Sequence, residues 1–169
     1  MNVLKKEKGF TIIEVVLVLA IAGLIFLMVF IALPALQRSQ RDTQRKNDMS
    51  RLQTAVVNYT NANRGSLPKD EIMNSSFVTG YLTVDNDSFI DPAGVGESQS
   101  GNPSTYVFQK SDAAPSSLTA TFKTSQNIIY YTPSASCSPT EGAAVVKAGS
   151  RKIAFRMALE SGGYNCINN

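Results

Sequence analysis

KGFTIIEVVLVLAIAGLIFLMVFIAL, Lys8 to Leu33, is apolar almost from end to end. From Val15 to Leu33 the chain passes nineteen residues without a charge. At about 1.5 Å per residue a helix of that length reaches ~28 Å, close to the thickness of a bilayer's hydrocarbon core. Glu14 stands one residue before the uncharged run, inside an apolar block that begins at Phe10. A lone carboxylate in such a place costs about 3 kcal/mol unless something neutralises it.

Three explanations compete for this stretch. A cleaved secretory signal has a basic start, an apolar core of roughly 7–15 residues and a small-residue cleavage site beyond it. Here the apolar part is longer, and the A-x-A pattern at Ala20-Ile21-Ala22 lies inside it. A plain membrane anchor accounts for the length but not for Glu14. A segment that spans a membrane first and packs into a protein assembly later accounts for both.

The residues Lys8-Gly9-Phe10-Thr11-Ile12-Ile13-Glu14 resemble the type IV prepilin signal, in which Gly is followed by Phe, Thr, an apolar pair and Glu. The resemblance implies that a prepilin peptidase in the membrane cuts between Gly9 and Phe10 and methylates the new amine of Phe10. The mature chain then runs from Phe10 to Asn169, 160 residues. Its amine is a cation about one helical turn from the Glu14 carboxylate. Paired, within one chain or between staggered neighbours, the two cancel a charge otherwise buried alone. A buried pair of this kind specifies register more than it stabilises. The family gives the position of Glu14 an assembly role.

On the near side of the stretch, residues 1–9 read as a leader that holds Lys5, Lys6 and Lys8 in the cytoplasm, so that the C-terminal bulk lies outside. Residues 10–36 are the membrane and filament-core helix. Gly23 and Pro34 are its weak points, since proline removes a backbone hydrogen bond. Relatives often carry a Gly near this position and a Pro somewhat earlier, and in several filaments of the family this part of the helix is loosened. The later Pro34 leaves melting and bending both open.

Residues 37–64 read as a continuing helix outside the membrane. Met49, Leu52, Val56 and Tyr59 recur at steps of three, four and three, one face of a 3.6-residue period that should pack on a globular head. Before this stripe the chain is polar all round, through Arg38, Arg41, Asp42, Arg45, Lys46 and Asp48. It reads as a solvated stalk with Asp42 pairing to Arg38, Arg45 and Lys46. With six cations and two acids, residues 37–64 carry a net +4. A nucleic-acid contact there is conceivable, although no aromatic interleaves the basic residues. The helix should stop near Asn63-Arg64-Gly65, with Gly as its C-cap and Pro68 beyond.

Residues 65–169 read as the head. Leu118 to Lys123 and Ile153 to Glu160 alternate apolar and polar residues, and Ser104–Gln109 and Gln126–Thr132 are two further strand candidates. They predict a small antiparallel sheet with one face toward the helix stripe and one face wet. Long helix plus antiparallel sheet is an α+β arrangement, the one pilins share.

Between helix and sheet, residues 65–103 gather Asp85, Asp87 and Asp91. Calcium takes its oxygens from such spaced carboxylates. No EF-hand pattern is present, and a turn-rich surface loop is the simpler reading; these three are weak metal candidates. The segment Asp91-Pro92-Ala93-Gly94, with Asn102-Pro103 and Tyr106 after it, is similar to a loop in the major pseudopilins of type II secretion, some of which hold calcium.

Cys137 and Cys166 are the two cysteines of the chain. In a head outside the cytoplasm a disulfide is favoured over two free thiols. They look like the C-terminal pair that bounds the exposed region in many type IV pilins.

The chain has no histidine, which excludes histidine-based zinc sites, Ser-His-Asp triads and imidazole bases. No glycine-rich phosphate loop occurs. The resemblance implies, as the leading expectation, a structural subunit without catalytic residues or cofactor, polymerising into a surface filament for adhesion, motility or DNA uptake. Its implied partners are copies of itself, the prepilin peptidase, an inner-membrane assembly platform and an assembly ATPase. The alternatives are a pseudopilin of a secretion or competence system, a minor pilin, or a single-pass anchored binding module.

Overall fold

The computed structural model describes residues 9–68, 73, 75–84, 88–94, 105–111, 116–117, 127–139 and 144–169. Among the described residues a long helix, α1 (Ile12–Ala62), is followed by a π-helical turn (Val78–Leu82) and seven strands. These are β1 (Val107–Lys110), β2 (Ser116–Ser117), β3 (Ile128–Pro133), β4 (Ala135–Cys137), β5 (Ala144–Lys147), β6 (Ile153–Ala158) and β7 (Tyr164–Asn168). The architecture is α+β: a long N-terminal helix, then a small, mostly antiparallel sheet system of pilin type. The chain forms two compact units, Met1–Gln37 and Arg38–Asn169.

In the first unit α1 stays helical through Gly23 and Pro34. Pro34 has no N–H to offer the preceding turn, yet the helix does not end there. Phe10, Ile12, Leu24, Phe26, Met28 and Phe30 are each at least 65% exposed. An apolar cylinder with no covered face is what a helix made for lipid or for a bundle of like helices looks like. Its length and composition suffice to cross a membrane.

In the second unit the remaining turns of α1 bury one face. Met49, Leu52 and Val56 are fully buried, and Tyr59 packs against the same core, as the stripe requires. Opposite them lie Phe77, Phe89, Phe108, Ile129, Tyr131, Ile153, Phe155 and Met157. Each large side chain of this set contributes roughly 1.5–3 kcal/mol by leaving water. The helix ends by a Schellman turn, with the amide of Gly65 bonded to the carbonyl of Thr60 at 2.7 Å. The left-handed residue that closes it is Arg64 (φ 55), and Gly65 (φ 82) follows in the same region. Both residues, rather than Gly65 alone, make the stop.

The main sheet has the order β1-β3-β6-β7, and the second sheet β2-β5-β4. Two expectations change here. β1 and β3 run parallel, with Val107 opposite Ile128; the other pairings are antiparallel. β6 has no wet face: all six of its residues are buried. Ile153, Phe155 and Met157 face the helix core, while Ala154 joins Ala135 and Val145 in a small second core between the sheets. The alternation in this strand separates two interiors rather than interior from water. The strand expected at Leu118 to Lys123 lies outside the described residues.

Candidate functional site

The N-terminal turn of α1 follows from its sequence. Gly9, Phe10 and Thr11 are not helical, and the helix opens at Ile12. Thr11 is the N-cap and Glu14 the third helical residue, so Thr11-x-x-Glu14 forms a capping box. The Thr11 amide donates to Glu14 Oε2 at 2.9 Å, and the Thr11 hydroxyl donates to the same oxygen at 2.8 Å. The Glu14 amide returns a longer bond, 3.4 Å, to Thr11 Oγ1. Thus Glu14 serves the end of its own helix, which the reading by charge alone passed over; the T-x-x-E spacing carries the signal. Phe10 is 90% exposed, and Gly9 meets no other side chain or backbone at the position a Cβ would occupy. The same holds for Gly23.

The polar half of the helix outside the apolar stretch is not a solvated stalk. Arg45 is fully buried, Asp42 and Asp48 nearly so. Arg45 reaches Asp91 with Nε at 2.7 Å and Nη2 at 2.9 Å, and reaches Asp42 with Nη1 at 3.0 Å. Arg41 grips Glu160, its Nε 2.7 Å from Oε2, and Arg38 lies 3.9 Å from the same carboxylate. Asp42 in turn accepts the amides of Glu160 and Ser161, both at 2.8 Å, and so binds the β6–β7 turn to the helix. The expected Asp42–Arg45 pair is present, whereas the partner of Arg38 is Glu160. The spacing carries the signal. Asp42, Arg45 and Asp48 continue the Met49–Tyr59 stripe backward at steps of three, so charged residues occupy the buried face.

Electrostatics follow from burial. Burial works against the charged guanidinium of Arg45, but the bond and charge of Asp91 outweigh it and raise the group further. Burial likewise opposes ionisation of Asp42, yet hydrogen bonds from Ser161 and Glu160 bring its carboxyl below the usual range. The bond from Arg41 lowers Glu160. Asp48 goes the other way: burial raises it, offset in part by the Tyr106 hydroxyl at 3.1 Å and by Arg51. Burial raises Tyr106 as well, reinforced by Asp48.

This geometry bears on one metal candidate of the loop, Asp91. Both oxygens of Asp91 are taken by Arg45, and Oδ1 also accepts the Ala93 amide at 2.8 Å. Asp85, Asp87, Asn102 and Pro103 lie outside the described residues. Among the described residues no group of three His, Cys, Asp or Glu is placed to hold a metal ion. Of the six cations in residues 37–64, Arg38, Arg41 and Arg45 face carboxylates of the head.

Cys137 on β4 and Cys166 on β7 form a disulfide, with Cα atoms 5.9 Å apart. The bond joins the two sheets beside the Ala135–Val145–Ala154 core. The Cys137 amide adds a bond to the Asn168 side chain at 3.2 Å.

Among known proteins, the model of the prokaryotic N-terminal methylation motif matches residues 4–30. No curated relative and no solved structure matches the chain. The matched segment holds Gly9, Phe10, the Thr11–Glu14 box and the apolar turns to Phe30. The chain carries the prokaryotic N-terminal methylation motif, the class III signal of type IV pilins, at the head of an α+β architecture of pilin type.

Proposed function

We propose that this chain is a prepilin-type structural subunit. It is cut between Gly9 and Phe10 and methylated at Phe10. Residues 10–36 anchor it, with the head outside, until it polymerises into a surface filament. The observation that carries this reading is the first unit. Its helix is apolar and exposed on every side, and the one carboxylate in it sits at the helix start, next to a non-helical Gly9–Phe10 bond. A simple anchor requires the apolar length alone. A subunit that leaves the membrane to join a bundle requires an apolar surface for lipid and copies of itself alike, together with a polar mark that sets register.

In this reading the working partners are the prepilin peptidase, an assembly platform in the inner membrane, the assembly ATPase and further copies of the chain. The head, residues 65–169, coats the filament. The closed Cys137–Cys166 bridge suits an oxidising compartment outside the cytoplasm.

The test is an intact mass measured on mechanically sheared surface material and on the cell-bound fraction. A sheared species beginning at methylated Phe10, two mass units light for the closed bridge, is the expected result for a filament. The same mature species confined to the cell-bound fraction identifies a pseudopilin or minor subunit instead. A chain beginning at Met1 in both fractions overturns the reading and leaves a plain anchor.

A further inference from the structure

The described carboxylates of the second unit are spent at one end of it. Asp42, Asp91 and Glu160 pair with Arg38, Arg41 and Arg45, and Asp48 pairs with Arg51. The other end carries cations. β5 closes on Lys147, and the loop that leads into β6 adds Arg151 and Lys152. The end of α1 brings Arg64 beside them: the Arg151 guanidinium lies over Gly65, its Cζ 3.5 Å from the position a Cβ would take there. All four cations are exposed. Among the described residues no carboxylate pairs with any of them.

The loop that presents them is held in place. The Ser134 amide donates to the Lys152 carbonyl at 2.7 Å, the Ala148 amide to the Ser134 carbonyl at 2.7 Å, and the Lys152 amide to the Gly149 carbonyl at 2.9 Å. The side-chain amide of Asn169 donates to the Arg151 carbonyl at 2.9 Å. Lys152 Nζ donates to the main-chain oxygen of Asn169, so Lys152 forms the rim and Arg64, Lys147 and Arg151 the outward charge. Arg64 and Arg151 also stand at the C-terminal end of α1, whose partial negative charge steadies cations. The distant acids do not cancel this charge. About 30 Å of helix separate Asp42 from Ala62, and β6 sets about 20 Å between Lys152 and Glu160. Both spans exceed the ~8 Å over which charges act through physiological salt.

We propose that this end of the unit is a docking surface for the phosphate backbone of duplex nucleic acid, bound without regard to sequence. The inference goes beyond the subunit reading, since neither cutting nor polymerisation calls for it. A duplex carries one negative charge about every 1.7 Å along its axis, a density that rewards several cations fixed close together. The guanidinium forks of Arg64 and Arg151 match phosphate oxygens two at a time. No aromatic residue stands among residues 63–68 or 147–152, so the surface offers no platform for unpaired bases. Its contacts go to the backbone, which positions a duplex and carries no sequence information.

The experiment measures binding of the full chain, in a non-ionic detergent, to a labelled duplex of mixed sequence from about 50 to 200 mM salt. The lysines of residues 1–9 are the same in every form compared and cancel in the differences. Lys147→Gln with Arg151→Gln is expected to weaken binding tenfold or more at the lowest salt and to make the slope of log affinity against log salt shallower by about two. Lys147→Arg with Arg151→Lys keeps the charge and is expected to stay within about threefold of the wild type. Lys46→Gln removes an exposed cation of α1 outside the patch and is expected to change little. Wild-type binding by the glutamine pair overturns the proposal. So does an equal loss from Lys46→Gln, which would make the attraction one of diffuse charge, or an equal loss from the charge-keeping pair, which would make it one of loop shape. A loss confined to a sulfated polysaccharide probe, with the duplex unaffected, overturns the choice of partner.

Discussion

Arg45 and Asp91, forty-six positions apart in sequence, meet in a two-pronged ion pair at 2.7 and 2.9 Å with both side chains fully buried. The pair fastens the Asp91-Pro92-Ala93-Gly94 turn to the helix. Because Asp42 and Glu160 share the same guanidinium, it also fastens the β6–β7 turn.

Breaking this pair from one side leaves buried carboxylates without their cation, at a cost of about 3–5 kcal/mol. Arg45→Ala should therefore lower the urea midpoint of the full chain in detergent by a corresponding amount. Replacing both partners, as Arg45→Met with Asp91→Leu, should recover at least half of the loss. Equal losses from the single and the double variant would mean that packing, not charge, sets the cost.

The acids of the cluster divide in their response to pH. Asp42 and Glu160 sit below their usual values, so the stability they contribute is present above about pH 4 and falls away as acid protonates them in the folded state. Asp48 is raised. Its contribution is present below the unfolded value and is lost as pH rises through the folded one. Asp48→Asn should consequently gain on the wild type as pH is raised from 3 to 8, read as the difference of thermal midpoints. A difference that stays constant or shrinks with rising pH contradicts the raised carboxyl.

Closing twenty-nine residues of chain with a disulfide restricts the unfolded state by roughly 3.6 kcal/mol. The paired substitution Cys137→Ser and Cys166→Ser should cost about that much in denaturant unfolding. The bond ties β4 to β7, so early amide exchange should appear in these two strands ahead of β3 and β6. Uniform loss of protection across all four would contradict that order.

The subunit reading separates two steps that one substitution each should uncouple. Gly9→Leu is expected to leave full-length precursor in the membrane, seen as an unshifted band and an intact Met1. Glu14→Val is expected to insert and to be cut, and to yield few filaments. A mature band from the Gly9 variant, or abundant filaments from the Glu14 variant, removes the role assigned to that residue.

What could be read from sequence was whatever repeats along one element. Nineteen uncharged residues in a row, a stripe at Met49, Leu52, Val56 and Tyr59, and alternation at Ile153 to Leu159 each declare themselves locally. What escaped depended on partners distant in the chain. Arg45 looks solvated beside Asp42 and Lys46 until Asp91 and Glu160 arrive from loops far along the sequence. Ala154 looks like the outward face of a strand until Ala135 and Val145 of the β2-β5-β4 sheet pack against it. β4 and β5 are three and four residues long, too short for a period to emerge. The Thr11–Glu14 box is legible in its T-x-x-E spacing, while the charge of the glutamate alone points away from a cap.

The clamp and the disulfide lie in series. Arg41, Asp42 and Arg45 hold the turn between β6 and β7, β7 pairs with β6 along five residues, and Cys166 links β7 covalently to β4. Tension applied along α1 within this unit therefore enters the sheet at the turn between the central strand β6 and the edge strand β7. The order of failure under load follows: the charge clamp first, the strand ladder next, and the covalent loop last.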